Sequence, residues 1–519
     1  IELAVTAMLF GTVSLGMSLF YLVNNSDPDI KRHSWKVISS TIAIFVAVLN
    51  YQGIHGVFMA LVRQFMFPLA SDTCETTMNI VIAGMKYGEA CVWFFFMHVL
   101  IHGQAAGLVA EKTGQSDREQ RLVCWATLLS HMSAFACIGG GVSMQKLDVF
   151  SRTWYMALLP VLFSALFLFL VFRLSDLCRS IVEEREHDSD EICELWNEYT
   201  EDGENEIGGL SLSFLFVQAL SQLATGEGPS DFKEVHPVMA TVVLFAFAAV
   251  FSGATVAYVI VISRMDETAS NGSRRLSSGA APGPMKGLDP IGHYLKRWVY
   301  IIQQVVAMCT AWCLLNACEW EVHRFIKTHL RDAGTVLDPE STSQHVFLAL
   351  TVSFMSFSFI FFLDYLQDLP ATGDAVDNAI GKVIKSLGVL VGFSWEEAFD
   401  SGVDAFARLA DSEWRRIFAK LVLGVIVAMI VVPAWRWYVL KTVVTIEEHH
   451  RLSLVAKTHT QEAGTASEGR ISGVANPMIA CCVTSCDETP TEEATYLRMI
   501  APVDDEATDE RILDDRQPY

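Results

Sequence analysis

Long apolar runs separated by short polar segments dominate the sequence. A helix needs about 20 apolar residues to cross a hydrocarbon core of about 30 Å, and ten runs approach or exceed this length. They occupy residues 2–23, 35–62, 79–110, 122–144, 153–174, 237–262, 294–323, 345–366, 378–400 and 416–440. The run 378–400 is the least typical, because it begins with two lysines and ends in Glu396, Glu397 and Asp400. The pattern predicts an all-α, polytopic, integral membrane protein.

One shorter apolar piece, residues 210–223, follows an acidic segment, residues 183–206. At about 1.5 Å per residue it is too short to cross the membrane comfortably, although its larger apolar side chains fall at helical spacing. The next residues, Thr225 to Pro229, cannot continue a helix, because glycine is flexible and proline lacks the donor N–H. We expect either a re-entrant half-helix, buried in protein or lining water, or an amphipathic surface helix that ends in a Gly-Pro turn.

The order of a span, an acidic loop, a half-helix, Thr-Gly-Glu-Gly and a second span, over about 154–264, resembles the pore module of voltage-gated-like cation channels. The resemblance implies a re-entrant pore helix that delivers backbone carbonyls and one acidic side chain to a selectivity filter. It would make Glu227 the filter acid and Thr225 and Gly226 the filter backbone, with an ion pathway that continues to Gly228.

The sequence departs from this family in two respects. Pro229 stands where such filters often carry an aromatic residue, and no span has Arg or Lys at every third position, the array that a voltage sensor needs. A channel of this kind would therefore not be strongly voltage-gated through its own helices. One chain supplies one filter loop, so the interpretation also requires a homo-oligomer or a longer chain.

Polar segments divide the chain into six parts. They are a first membrane half of five spans (1–175), the acidic loop and half-helix (176–236), a sixth span (237–264), a flexible Ser-, Gly- and Pro-rich linker (265–292), a second membrane half of four spans (293–444) and a disordered acidic tail (445–519). Each half has one span, a polar linker and then four spans. If this layout is a repeat, five spans per half would place the two repeats in opposite orientation, as in many transporters.

Seven ionisable residues lie inside the predicted spans, where charge is unfavourable and usually marks a pathway or a paired partner. They are Lys86, Glu89, His98, His102, His131, Glu319 and His323. The first two share a helix face and could pair with each other. The three central histidines could form a proton relay or a pH sensor, or could be neutral and hydrogen-bonded between helices. The last two share a face near a helix end, where snorkelling to the interface is an equal explanation.

Composition supports a membrane protein and argues against other classes. The 519 residues are 52% hydrophobic and 18% charged, with a net charge of −22, whereas soluble chains average about 25% charged. The acidic balance argues against nucleic acid as a partner. The cysteines show no metal-binding spacing, and nucleotide-binding, hydrolase and metalloprotease motifs are missing. We therefore expect no enzyme, no cofactor and no metal site; the expected partners are the lipid bilayer and a cation or small solute.

These patterns predict a membrane protein that moves ions or small solutes. The first interpretation is a cation channel with its filter near 225–228. The alternatives are a secondary transporter with inverted five-helix repeats and a non-transporting membrane scaffold or receptor. Whether residues 210–223 re-enter the membrane or cross it separates the first two.

Overall fold

A computed structural model describes most of the chain before the acidic tail. It covers residues 2–66, 75–106, 115–185, 190–227, 236–277, 290–330, 342–367, 374–407, 412–450 and 452. The chain forms two units, Ile1–Arg451 and Leu452–Tyr519, and the structural description below concerns the first. The tail predicted from residue 445 lies outside the described residues beyond its first few positions.

The described part of the chain is helical throughout. The helices are α1 (Glu2–Val23), α2 (Pro28–Met66), α3 (Glu75–Ala105), α4 (Gln115–Gln145), α5 (Asp148–Ser151), α6 (Leu158–Arg185), α7 (Asp190–Thr225), α8 (Val238–Ser277), α9 (Pro290–Phe325), α10 (Thr342–Gln367), α11 (Asp374–Ala407) and α12 (Glu413–Ala434). Short π-helical segments extend α9 over Ile326–Leu330 and α12 over Trp435–Leu440. This confirms the predicted all-α fold.

Consecutive long helices alternate in direction, and ion pairs identify the two ends of the bundle. At one end, Lys36 near the start of α2 pairs with Glu447, which follows α12, at 2.7 Å. At the other end, Arg63 near the end of α2 pairs with Glu413 at the start of α12, at 3.5 Å. We call these the Lys36 end and the Arg63 end. Helices α2, α4, α7, α9 and α11 begin at the Lys36 end.

Nine helices in the described residues are long and apolar enough to cross a membrane, which is compatible with a multi-pass membrane protein. They are α2, α3, α4, α6, α7, α8, α9, α10 and the helix that runs from the start of α12 to His450. Helix α1 contributes a shorter apolar helix, Leu9–Val23. Helix α11, which contains the least typical predicted span, is not among the nine.

Helix α7 corrects two predicted boundaries. The acidic segment 183–206 was expected to be a loop and residues 210–223 a separate half-helix. Instead, α6 continues to Arg185, and α7 is one helix of 36 residues from Asp190 to Thr225. At about 1.5 Å per residue it is about 54 Å long, which exceeds the thickness of a hydrocarbon core. The acidic residues remain helical because several of them pair with side chains of other helices.

The predicted linker 265–292 is also shorter than expected. Helix α8 extends to Ser277, and α9 begins at Pro290, so only residues 278–289 separate the two helices, and these lie outside the described residues. Polar composition marks the solvated end of a long helix as readily as it marks a linker, which explains the difference.

Helix α11 packs closely against α2 through two glycines. A Cβ atom at Gly392 would lie 2.9 Å from the Cα and carbonyl oxygen of Thr41, and one at Gly388 would lie 3.1 Å from the Cα of Val37. Thr41 also donates a hydrogen bond to the carbonyl of Gly388 at 3.2 Å. Small residues at helix contacts allow this approach of two backbones in a membrane protein.

We expect Gly392→Ala to destabilise the protein by roughly 1–3 kcal/mol, because the new methyl group would overlap backbone atoms that cannot move aside. The measurement is the thermal denaturation midpoint of the purified protein in detergent. Gly84→Ala on α3 is the matched control, since nothing lies within 4 Å of its added Cβ. Equal midpoints for the two variants would contradict the close α2–α11 packing.

Candidate functional site

Two glutamates on α7 form the centre of a buried ionic layer. Glu204 and Glu206 are two residues apart, so their side chains leave the helix about 200° from each other. Helix α7 lies against α3, α4, α6, α8 and α9, and therefore both faces meet other helices. The surroundings of the two carboxylates differ in charge and in access to water.

Glu204 is fully buried and joins three helices. Its carboxylate forms ion pairs with Arg297 of α9 and with Arg179 of α6, the latter at 3.7 Å. Ser175 of α6 donates a hydrogen bond to it at 2.7 Å. Asp176 accepts hydrogen bonds from both arginines, at 2.9 Å from Arg297. Glu201 of α7 also lies 4.0 Å from Arg179, so this side of α7 is an ionic contact between α6, α7 and α9 that is fully buried at Glu204.

Glu206 faces α4 and α11 and is partly accessible. Lys385 of α11 donates a hydrogen bond to its carboxylate at 2.6 Å, and Ser130 of α4 donates another at 3.3 Å. The Nε2 atom of His131 on α4 lies 3.5 Å from the same carboxylate. The exposed fraction of the side chain falls from 44% at Lys385 to 16% at Glu206 and 5% at His131. We call this partly exposed region, from Lys385 to Glu206, the cleft.

The cleft has an acidic wall on α7. Glu198, Asp202 and Glu206 recur at four-residue spacing, which places them on one face of the helix. Glu198 and Asp202 are exposed, so the acidic stripe leads from the Lys36 end of the bundle down to the Glu206 contact. Its carboxylates lower the potential in the cleft and attract cations from solution.

Helix α9 and Lys382 of α11 line another side of the cleft. The Nζ atom of Lys382 donates a hydrogen bond to the side-chain oxygen of Gln303 at 2.6 Å and lies 4.1 Å from the centre of the Tyr300 ring. Lys382 is one turn of α11 closer to the Lys36 end than Lys385. Two lysines of one α11 face therefore project toward α7 and α9.

An aromatic layer lies directly beyond His131, toward the Arg63 end. The rings of Phe135 on α4 and Phe393 on α11 stack with centres 6.0 Å apart, and Trp312 of α9 packs edge-on against Phe393 at 5.3 Å. Phe214 of α7 packs edge-on against Trp312 at 4.9 Å. Four helices thus contribute rings to one level of the bundle, which we call the aromatic layer.

A second group of charges on α11 lies on the far side of the aromatic layer. Glu396 is 1% exposed, and its Oε1 atom is buried without a hydrogen-bond partner among the described residues. Glu397 lies 3.7 Å from His345 of α10, and Asp400 lies 3.6 Å from Lys420 of α12. Glu396 therefore lies inside the bundle.

The structure separates the three predicted central histidines. His98 lies 3.1 Å from the hydroxyl of Ser175 and 3.7 Å from Glu204, and His131 lies beside Glu206. The ring of His102 packs edge-on against Trp196 at 4.8 Å. Two of the histidines therefore face the α7 glutamates from different sides.

Lys86 and Glu89 contact partners on other helices. Glu89 lies 2.7 Å from the Nδ1 atom of His55 on α2, and Lys86 donates a hydrogen bond to Ser143 of α4 at 3.2 Å. The two residues interact electrostatically with each other, and each also contacts another helix.

The remaining pair of predicted intramembrane residues, Glu319 and His323, lies on α9 toward the Arg63 end. Glu319 interacts electrostatically with Glu397 of α11, which connects it to the second group of charges. The ring of His323 is buried and lies 3.3 Å from the side-chain nitrogen of Gln344 on α10. Burial between helices, rather than snorkelling to the interface, accounts for His323.

The residues assigned to a filter form the end of α7. The N–H of Gly226 donates to the carbonyl of Gln222 at 2.8 Å, and Gly226 has a φ of 75°, which is typical of a glycine that ends a helix. The hydroxyl of Thr225 accepts from the N–H of the exposed Glu227 at 3.3 Å. Gly228 lies outside the described residues, and the filter assignment stays a prediction.

Sequence reasoning missed most of the ionic layer. Glu204, Glu206 and Arg179 lie in polar segments beside apolar runs, and Arg297 lies at the start of the predicted span 294–323, so none of them stood out as an intramembrane charge. The four-residue spacing of the acids on α7 was the available signal that this segment is helical. Among the described residues, no group of three or more His, Cys, Asp or Glu side chains is arranged to hold a metal ion.

We expect Glu204→Gln to lower stability by roughly 3–5 kcal/mol, because it leaves two buried arginines with too little negative charge. The thermal denaturation midpoint in detergent measures the effect. The control is Glu321→Gln, which removes the partner of Arg324 from a site that is 44% exposed and should change stability by about 1 kcal/mol or less. Similar midpoints for the two variants would show that the buried contact does not stabilise the bundle.

Comparisons of the chain with protein-family models, with curated proteins and with solved structures find no match. The chemistry of the ionic layer is therefore interpreted from its own geometry.

Proposed function

We propose that the protein is a secondary transporter that moves an ion or a small solute along one face of α11. The observation that supports this most directly is the polarity of α11 itself. Lys382, Lys385, Phe393, Glu397 and Asp400 recur at three- or four-residue intervals or their multiples, which is one helix face. Ionisable residues inside a membrane bundle are energetically unfavourable and usually line a pathway.

The arrangement along this face also supports transport. Charged groups lie on both sides of the aromatic layer, with Lys385 toward the Lys36 end and Glu397 toward the Arg63 end. A hydrophobic constriction between two polar compartments blocks passage until the helices move. Such a closed centre is what a transporter requires, because it must not connect the two sides at once.

The transporter interpretation agrees better with α7 than the channel interpretation does. A pore module needs a short helix that re-enters the membrane, whereas α7 is continuous to Thr225 and long enough to cross.

With α7 counted as a crossing, five long helices precede it and five follow it. The proposed five-helix repeats would then run in the same direction instead of opposite directions. The proposal involves no chemical step and no cofactor.

Thiol accessibility tests the path on a cysteine-depleted chain reconstituted into lipid vesicles. We expect Asp202→Cys to react with a membrane-impermeant thiol reagent from the Lys36 side and Asp404→Cys to react from the Arg63 side. Both positions face polar parts of the proposed path. The control is Phe354→Cys on α10, which is 78% exposed in the bundle but faces the proposed lipid surface and should not react.

Two results would count against the path. Reaction at Phe354→Cys equal to that at the other positions would mean that exposure in the bundle, rather than a polar path, controls labelling. Protection of both Asp202→Cys and Asp404→Cys from either side would favour the scaffold or receptor alternative, which needs no water-accessible interior.

Removal of a ring from the aromatic layer should connect the two compartments. We expect vesicles that contain Phe393→Ala to lose an imposed pH difference faster than vesicles with the unsubstituted protein, because water can enter the space that the ring filled. An entrapped pH-sensitive dye measures the loss. Phe354→Ala is the control, and equal rates for both variants would show that the aromatic layer does not close the path.

A further inference from the structure

We propose that the ion coupled to this transport is a proton and that Glu206 is the group that binds it. The inference rests on the proposed transport function, and it adds the identity of the driving ion and the residue that carries it. Three features of the structure support it: the access of water to Glu206, the position of Lys385, and the acid that lies one turn from Glu206 on α7.

Access to water distinguishes Glu206 from its neighbour. Glu204 is 0% exposed and is enclosed by two arginines and a serine, so a proton cannot reach it without breaking an ionic contact. Glu206 is 16% exposed, beside a lysine that is 44% exposed. The carboxylate therefore lies at the inner end of the cleft, where protons exchange with water. Glu204 therefore stays ionised and connects helices, whereas Glu206 can gain and lose a proton.

The ammonium group of Lys385 occupies the place of a cation. Its Nζ atom lies 2.6 Å from one carboxylate oxygen of Glu206. A metal cation that bound this carboxylate would have to displace a tethered positive charge and would remain close to it. A proton binds directly to a carboxylate oxygen and needs no separate space, so it is the cation that this site can accept with Lys385 in place.

Proton binding would weaken the link between α7 and α11. The groups that face Glu206 are Lys385 from α11, His131 and Ser130 from α4, Tyr300 from α9 and Asp202 from α7 itself. A proton on Glu206 removes the negative charge that holds Lys385. The next carboxylate for this lysine is Asp202, one helical turn closer to the Lys36 end, and it also interacts with Lys385.

Lys385 can therefore leave Glu206 and pair with Asp202, the next acid along α7. This change breaks the ionic contact that holds the polar face of α11 to α7 at the level of His131, directly beside the aromatic layer. Because Phe393 lies on that face, a movement of α11 would separate the rings and expose the second group of charges. This couples a proton that enters from the Lys36 end to opening toward the Arg63 end.

The test measures how fast Glu396→Cys reacts with an impermeant thiol reagent added on the Arg63 side of vesicles. Glu396 is 1% exposed, so the new thiol is protected in the described state. Each rate is divided by that of Glu413→Cys, an exposed position at the Arg63 end, which removes the effect of pH on the reagent. Between about pH 7 and about pH 4, a range that includes the ordinary pKa of a glutamate, we expect the ratio to rise about tenfold, which corresponds to about 1.4 kcal/mol.

Three variants identify the group that carries the proton. With Glu206→Gln, which resembles the protonated acid, the ratio should already be high at the higher pH and should not change with pH. Lys385→Gln should give the same result, because it removes the other half of the contact. Glu89→Gln is the matched control: Glu89 is also buried and also lies beside a histidine of another helix, His55, but away from the cleft, so its pH response should equal that of the unsubstituted protein.

Each alternative outcome has one meaning. A ratio that does not depend on pH in the unsubstituted protein overturns the inference, and so does a pH response that persists in Glu206→Gln. If His131→Gln loses the response while Glu206→Gln keeps it, the histidine is the proton acceptor and the assignment to Glu206 is wrong. Labelling that is present but independent of pH leaves the transport path intact; protection of Glu396→Cys and Asp404→Cys under all conditions contradicts the path itself.

Discussion

Charge buried between helices must be matched by charge on another helix, and α7 meets this requirement on two faces. Glu204 pairs with arginines of α6 and α9 in a buried contact, while Glu206 meets Lys385 of α11 at the inner end of the cleft. These contacts connect elements from both halves of the chain. They also account for the helical conformation of an acidic segment that would otherwise favour solvent, since each partner compensates part of the desolvation of the carboxylates.

The same chemical group has different uses in the two environments. A carboxylate enclosed by guanidinium groups is fixed in its charge, so it serves as a permanent connection between helices. A carboxylate that water can reach, beside one ammonium group, can gain and lose a proton while the surrounding bundle stays folded. Two residues of separation on an α-helix are enough to place the two side chains in these opposite surroundings.

Helix α11 combines tight packing with a polar face. Gly388 and Gly392 allow it to approach α2 closely, and the adjoining face presents lysines, a phenylalanine of the aromatic layer and then acids. The helix therefore combines close backbone packing with ionic contacts to other helices. In the proposed transport mechanism, a displacement of α11 opens the path because the rings of the aromatic layer come from four different helices and separate when one of them moves.

The sequence determined the helices, because a run of apolar residues in a membrane can satisfy its backbone only as a helix. It also identified His98 and His131 as polar groups inside the bundle. It did not show that α7 is one helix or that Glu204 and Glu206 are buried. Hydropathy assesses each residue by its own polarity, whereas the burial of a glutamate depends on its partners. The partner of Glu206 on α11 is 179 residues away, so only the tertiary structure could bring the two charges together.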